Sequence, residues 1–374
     1  MNEQQPIRVL VTGIHGFIAK NLVVRLNERA CTEVLSFARG DSNEVLASQV
    51  AKADAIVHLA GENRPADIRD FALVNTELTR SLCEAIRGTE RNIPLIFVSS
   101  FQAEFDNPYG QSKLAAEQLV ELFSTETGNN VVIYRLPGVF GKWCKPNYNS
   151  VVATFCHNIA RGLPIKVNDE TENVKLVYVD DVVDKFLRVL DKPKFGLERE
   201  EITKTYDITL DELAKQIAAF QNCRTSLVSE RVGTGLIRAL YSTYISYLPP
   251  EQFTYDLPKY GDERGIFVEM LKTPDCGQFS FFTLHSGVTR GSHYHHTKSE
   301  KFLVLSGMAR MRFRQMVTAE IYEVTVCGDK PQVVDSIPGW VHDITNVGDS
   351  EVVVMLWANE VFDHQRPDCI PCEV

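Results

Sequence analysis

The rhythm of apolar residues changes once along this chain, near residue 240, and that change restricts the fold more than any single motif. Before it, short runs such as Ile7–Val11, Ala55–Ala60, Leu95–Ser100 and Val131–Leu136 show little polar–apolar alternation. Such runs suit strands buried on both faces of a parallel sheet. Between them lie stretches with helical spacing, Phe17–Glu28, Asn75–Arg87 and Gln111–Phe123. Strand alternating with helix predicts a doubly wound α/β domain. The segment Tyr241–Lys259 then carries Pro249, Pro250 and Pro258 among aromatics and reads as a linker or docking strap. Beyond it, β-prone runs (Gly277–Leu284, Lys301–Leu305, Ala309–Phe313, Ile321–Val326, Glu351–Trp357) are separated by Gly, Asp, Asn and Pro. That spacing predicts an antiparallel sandwich or barrel of roughly 120 residues. The expected division is residues 1–245 and 246–374.

Composition excludes several classes. The 374 residues carry 39 basic and 49 acidic side chains, a net charge of −10. A net acidic chain has no electrostatic reason to coat nucleic acid or anionic lipid, so any anionic ligand must be met by a local basic cluster. Apolar stretches such as Val352–Ala358 fall short of the about 20 residues of a membrane helix. The start, MNEQQPIRVL, lacks a basic region followed by an apolar block. Nine cysteines are scattered without the density of a disulfide scaffold. The expectation is a soluble, cytoplasmic protein with no nucleic-acid or membrane partner.

Chemistry-bearing motifs are dense in the first half. The loop TGIHGFIA, Thr12–Ala19, follows the first strand and opens the first helix. Gly13 and Gly16 there permit a tight turn and close approach to a pyrophosphate. An acid that reads the ribose is expected at the end of the second strand, yet Val34–Phe37 ends without one and Arg39 follows. A guanidinium in place of a carboxylate favours a 2′-phosphate, hence NADPH. In YGQSK, Tyr109 and Lys113 share a helix face, which predicts an ammonium beside the phenol and a lowered tyrosine pKa. Ser99 and Ser100 close the strand just upstream, placed to hydrogen-bond a substrate carbonyl. The loop GKWCKPNYNS offers Lys142 and Lys145 to a diphosphate and Trp143 or Tyr148 to a base; its bland alternative is a solvent-facing loop. Cys144 reads as an incidental thiol.

TGIHGFIA, the HLAG run from His58, the V-S-S strand end, YGQSK, YRLPGVFG from Tyr134 and YVDD from Tyr178 stand together in order over about residues 7–190. In this the chain resembles the extended short-chain dehydrogenase/reductases, especially nucleotide-sugar reductases and epimerases. The resemblance implies a Rossmann-like domain in which Tyr109 is the acid/base and Lys113 orients the nicotinamide ribose. A serine completes the triad: Ser100, with Ser99 as the alternative, because Phe101 stands where many members have a third small hydroxyl residue. It implies Gly13, His15, Gly16, Phe17, Ile18, Arg39, Leu59, Ala60 and Lys113 at the cofactor, and Arg135 with Lys142 and Lys145 at the substrate.

In the second half, His293-x-His295-x4-Glu300 places two imidazoles on one strand face, and His342 arrives from a later strand. Imidazoles with a carboxylate suit Zn, Mn, Fe or Ni. The pattern resembles the first motif of the cupins, jelly-roll barrels. Gly339-x2-His342-x3-Asn346 fits their second motif except that its proline, Pro338, comes one place late. Carried over, the metal ligands are His293, His295, Glu300 and His342, while His296 faces the other way. Asp262-x-Arg264-Gly265 and Thr289-Arg290-Gly291-Ser292-His293 resemble the deoxysugar 3,5-epimerase branch, which implies Arg264 and Arg290 at a nucleotide diphosphate. That branch uses the histidine after Arg-Gly as a base, so His293 fits either role, though its lone pair serves only one. Cys369 and Cys372 form a CxxC read as incidental.

As a whole, the chain resembles the bifunctional reductase–cupin enzymes of bacterial capsular polysaccharide synthesis. This implies a zinc-binding homodimer acting on a UDP-linked 4-keto-6-deoxy-hexosamine, epimerised at carbon 3 and then reduced at carbon 4 by NADPH. Two other readings use the same pieces: a redox-neutral NAD-dependent 4-epimerase or dehydratase, and a sensor of NADP and sugar. The sensor has no need of Tyr109 and Lys113.

Overall fold

The computed structural model describes residues 5–257, 260–262, 265–267, 271, 278–360 and 365–374, and by contacts they form two compact units. The first, up to Ser150 together with Val174–Asp207, is built on a parallel sheet. Its strands β1 (Ile7–Thr12), β2 (Thr32–Phe37), β3 (Ala55–His58), β4 (Leu95–Ser100) and β5 (Val131–Leu136) stand in the order β2-β1-β3-β4-β5, with Leu197–Glu200 added beyond β5. The solid apolar runs are explained by burial: in β3 all four residues are inaccessible, and in β4 all but Ser100. Leu10, Ile56, Phe97 and Ile133 of the sheet pack with Leu46, Leu82, Ile86, Val120 and Phe123 of the helices on one face. Each such side chain contributes about 1.5–3 kcal/mol by leaving water. The strand order reverses around β1, and in open α/β sheets ligands bind at the strand ends beside that reversal.

The helix Pro108–Thr127 starts where local chemistry dictates. Asn107 caps it, its side chain accepting from the Gly110 amide at 2.9 Å, and Pro108 occupies the first turn. Gly110 has no substitute, because a Cβ there would lie 2.2 Å from the Gln102 carbonyl oxygen and 2.5 Å from that of Phe105. The turn after β4 thereby lies directly against the start of this helix.

The second unit comprises Val151–Asn173 and Ile208–Val374. The helices Val151–Ala160, Leu210–Ser226 and Gly235–Ile245 therefore group with the β region, a division different from the one expected at residue 245. The β region holds two five-stranded antiparallel sheets. One carries Glu300–Ser306, flanked by Gln332–Ser336 and Val352–Ala358; the other carries Trp340–Asn346, flanked by Met308–Gln315 and Thr289–Tyr294. Strict alternation is plain in Met308–Gln315, where Ala309, Met311, Phe313 and Gln315 are buried. Phe302 of one sheet meets His342 of the other, ring centroids 5.8 Å apart, so the sheets face each other across a shared core. This is the all-β, cupin-like region expected from the sequence. Among the described residues no helix is long and apolar enough to cross a membrane.

Candidate active site and metal centre

The glycine loop sits at the reversal point. Gly13 has φ +67, and a Cβ there would come within 2.8 Å of Ala60 Cα, so only glycine lets the loop lie against Leu59–Ala60. No side chain caps the helix Phe17–Asn27, whose N-cap is Gly16. Its first amides are thus left for an anion, which the residues of a dinucleotide site require.

Behind the loop runs a buried hydrogen-bond chain that the sequence did not announce. Thr12 Oγ1 accepts from the Leu59 and Ala60 amides, both at 3.1 Å, and so must donate to His58 Nδ1 at 2.7 Å. His58 then carries its proton on Nε2 and donates to Thr79 Oγ1 at 3.1 Å, and Thr79 donates to the Asn75 carbonyl. Asn75, in a π-helical turn (Ala72–Glu77), donates to Ser112 Oγ at 2.9 Å, and Ser112 donates to the Tyr109 carbonyl at 2.7 Å. Burial, then the Lys113 charge, pushes His58 down to about 3, which keeps it neutral.

Ser100, Tyr109 and Lys113 converge at the end of β4. The Ser100 hydroxyl lies near enough to the Tyr109 phenol to favour its ionisation, and it accepts from the Gln102 amide at 3.1 Å. Ser99 is buried on the opposite face of the strand, toward Glu117. One expectation is corrected: the Tyr109 pKa is raised, not lowered. The Lys113 ammonium donates to the Val98 carbonyl at 2.9 Å, the acceptor that a buried ammonium must find. Burial raises the Tyr109 pKa, the Ser100 hydroxyl opposing it, and burial pushes Lys113 down to about 8 against the pull of Glu117.

Two cations expected at the substrate are committed elsewhere. Arg135 forks onto the inaccessible Glu117 carboxylate at 2.7 and 2.9 Å and meets Glu104 at 3.2 Å. Lys142 is buried against Asp180, 2.8 Å away, its ammonium also over the Trp143 ring. A guanidinium or ammonium that neutralises a buried carboxylate is not free for a diphosphate. Lys145 does remain exposed, stacked over Tyr148. Trp143 takes φ +69, a costly conformation for a bulky residue. Burial pushes the Cys144 thiol up to about 11, as befits an unreactive group.

In the second unit His293, His295, Glu300 and His342 bring their ligand atoms within 4.8 Å of one another. A bulge puts them there: Gly291 (φ +100) and Ser292 (φ +53) shift the register so that His293, not Ser292, stands opposite His342. The same shift turns Arg290 onto the face of His342, since Arg290 pairs with Ile344; its guanidinium lies over Phe282. Arg264 lies outside the described residues. The displaced Pro338 does no harm, because Gly339 (φ +82) makes the turn and its amide donates to the His295 carbonyl at 3.0 Å.

The donor set fits a cation. His295 Nδ1 faces the Asp368 carbonyl, which only accepts, so a neutral His295 presents a bare Nε2 to Glu300 Oε2, 3.1 Å away. Two acceptors facing each other call for a positive charge between them. Burial first, then His342 and His295, pushes His293 down to about 4, so its lone pair is available near neutrality. His342 is held through Nδ1 by Ser336 Oγ at 3.0 Å. The Asp368 carboxylate accepts from the amides of His296, Thr297 and Lys298 at 2.8, 2.7 and 2.8 Å. Ser242 donates to the Thr297 carbonyl at 2.6 Å, so a helix outside the sheets grips the same loop. Asp368, Ser336 and Ser242 carry no motif that would have singled them out. His296 stays out of the cluster, and Cys369 and Cys372 are unpaired.

Fold and site together define a dinucleotide-binding class with a second, metal-ligating centre, and the chain belongs to the NAD dependent epimerase/dehydratase family, which residues 9–203 match. Residues 260–370 match the polysaccharide biosynthesis C-terminal domain. Over 368 residues the chain is 53% identical to UDP-2-acetamido-2,6-beta-L-arabino-hexul-4-ose reductase of Pseudomonas aeruginosa, covering 98% of this chain and 99% of that one. The crystal structure of the capsular polysaccharide assembling protein CapF from Staphylococcus aureus is 42% identical with a TM-score of 0.68, covering 98% of this chain and all of that one. UDP-glucose 4-epimerase of Vibrio cholerae is 24% identical over 258 residues, 58% of this chain and 76% of that protein.

Proposed function

We propose that the chain is a bifunctional nucleotide-sugar enzyme. It epimerises carbon 3 of a UDP-linked 4-keto-6-deoxy-N-acetylhexosamine, then reduces the 4-keto group with NADPH. The product is UDP-2-acetamido-2,6-dideoxy-L-talose, a precursor of UDP-N-acetyl-L-fucosamine for a surface polysaccharide. The observation that carries this reading is the presence on one chain of the Ser100–Tyr109–Lys113 group and the His293–His295–Glu300–His342 cluster. The full-length likeness to a 4-ketose reductase supports it. The reductase part is assigned to residues 1–245 and the metal-binding part to 246–374, working as a cytoplasmic homodimer.

A hydrogen on carbon 3 is acidic only while carbon 4 is a ketone, so epimerisation must come first. The four-ligand cluster would hold a divalent cation, zinc by its imidazole-rich donor set, which supplies Lewis acidity toward the ketone. Arg290 and Arg264 are assigned to the diphosphate. In the reductase site Ser100 hydrogen-bonds the ketone oxygen and Tyr109 delivers a proton to it. Lys113 orients the nicotinamide ribose. NADPH, when bound, supplies the hydride.

The test is a paired assay in deuterated water with the UDP-4-keto-6-deoxy-hexosamine, with and without NADPH. Deuterium is expected at carbon 3 without NADPH, and loss of the ketone only with it. Tyr109→Phe should spare exchange and slow reduction by about 10²–10⁴, while His295→Ala should stop exchange. Absence of both exchange and NADPH consumption would overturn the substrate assignment.

A further inference from the structure

Two strands flank β1 at the reversal point, and each delivers one charged side chain to the same corner. β2 ends at Phe37, whose carbonyl accepts from the Gly13 amide at 2.8 Å, so Arg39 stands beside the glycine loop. β3 ends at His58, Leu59–Ala60 lie against Gly13, and Glu62 follows two residues later. There Arg39 Nη2 meets Glu62 Oε2 at 2.6 Å, the two side chains being 79% and 11% exposed. They are held unequally. The Glu62 carboxylate also accepts from the amides of Asn63 and Arg64, at 2.9 and 3.1 Å, and from the Tyr148 phenol at 3.0 Å. The acid is fixed, and the arginine is the partner able to move.

In dinucleotide sites of this architecture, an acid at the end of the second strand accepts from the adenosine 2′-hydroxyl. This chain has none there, but Glu62 brings a carboxylate to that corner from the third strand. A carboxylate accepts from a 2′-hydroxyl and repels a 2′-phosphate, and a guanidinium does the reverse. Resting on the nicotinamide-reductase reading above, we propose that Glu62 is a specificity residue which, with Arg39, reads the 2′ position of the cofactor ribose. It competes with a 2′-phosphate for Arg39 and gives NADH an acceptor of its own. The chain therefore takes both reduced dinucleotides, with NADPH the weaker for the presence of Glu62.

Calorimetric titration of the full-length protein with NADPH and with NADH tests this, because the ratio of the two affinities cancels any general loss of folded protein. Glu62→Gln keeps the shape and removes the charge; it should strengthen NADPH about tenfold and weaken NADH severalfold. Arg39→Gln should weaken NADPH about tenfold and leave NADH nearly unchanged. A wild-type protein that binds dinucleotide, with a ratio unmoved by Glu62→Gln, overturns the proposal and leaves the reductase reading standing. A wild-type protein that binds neither dinucleotide overturns both.

Discussion

The two candidate sites are held in place by opposite means. Ser100, Tyr109 and Lys113 come from one strand end and the helix that follows it, fixed by an Asn107 cap and by Gly110 packed against the intervening turn. The metal cluster is assembled from separate strands, and its supports come from further away still: Ser336 from a neighbouring strand, Asp368 from the C-terminal tail, Ser242 from a helix. A site made by local geometry tolerates change elsewhere in the chain. A site assembled from distant segments depends on each of them.

Buried charge gives the largest expected effect and the sharpest contrast. In the first unit Lys142 is matched by Asp180, 2.8 Å away. In the second, Asp335 neutralises two cations, Lys301 at 2.6 Å and Arg224 at 2.5 Å, and both lie over the Tyr255 ring. Burial opposes ionisation of Asp335, yet Lys301 and Arg224 hold its carboxyl below the usual range. Asp335→Asn strands both cations, and an uncompensated buried charge costs about 3–5 kcal/mol. Chemical denaturation should show that loss, with Asp180→Asn, whose ion-pair partner is Lys142, expected to cost less. Equal losses would remove the contrast.

This difference also explains what was legible in the sequence. Tyr109 and Lys113 were readable because helical spacing alone puts them on one face. The ligand quartet was readable because strand alternation fixes His293 and His295. The direction of the Lys113 ammonium was not, since it depends on the Val98 carbonyl of the preceding strand. Arg135 and Lys142 looked like free cations because their neutralising acids, Glu117 and Asp180, lie far along the chain. Asp368 was invisible for the same reason. The rhythm of the helices Leu210–Ser226 and Gly235–Ile245 showed that they form, but not that Arg224 and Ser242 tie them to the β region.

Asp368 offers an intermediate test of the assembled site. Its carboxylate orders the loop carrying His295 through three amides, so Asp368→Ala should weaken metal affinity by about 10–100-fold, the usual cost of losing a supporting partner. Competition with a chromophoric chelator measures it. Tyr109→Phe serves as the local counterpart and should leave metal affinity unchanged. An Asp368→Ala protein with wild-type affinity would show that the tail is dispensable and that the cluster is less distributed than its contacts imply.

The smallest effect tests the local site through pH. His58 titrates at about 3 in the folded chain against 6.5 when free, burial being the main cause. Between those values the unfolded chain takes up a proton that the native chain refuses, so stability falls as pH drops from 6.5 toward 3. One group of this kind contributes a slope of at most about 1.4 kcal/mol per pH unit. Glutamine has a donor and an acceptor but does not titrate, so His58→Gln should flatten the denaturation profile by that amount below pH 6.5 and leave it parallel to wild type above. The chain from Thr12 to Ser112 ends on the Tyr109 carbonyl and lies in the first unit, so the same variant should leave metal affinity unaltered. A profile that keeps its full slope in His58→Gln assigns the acid sensitivity to other groups, and the local site would then be held by the helix cap and the glycine packing alone.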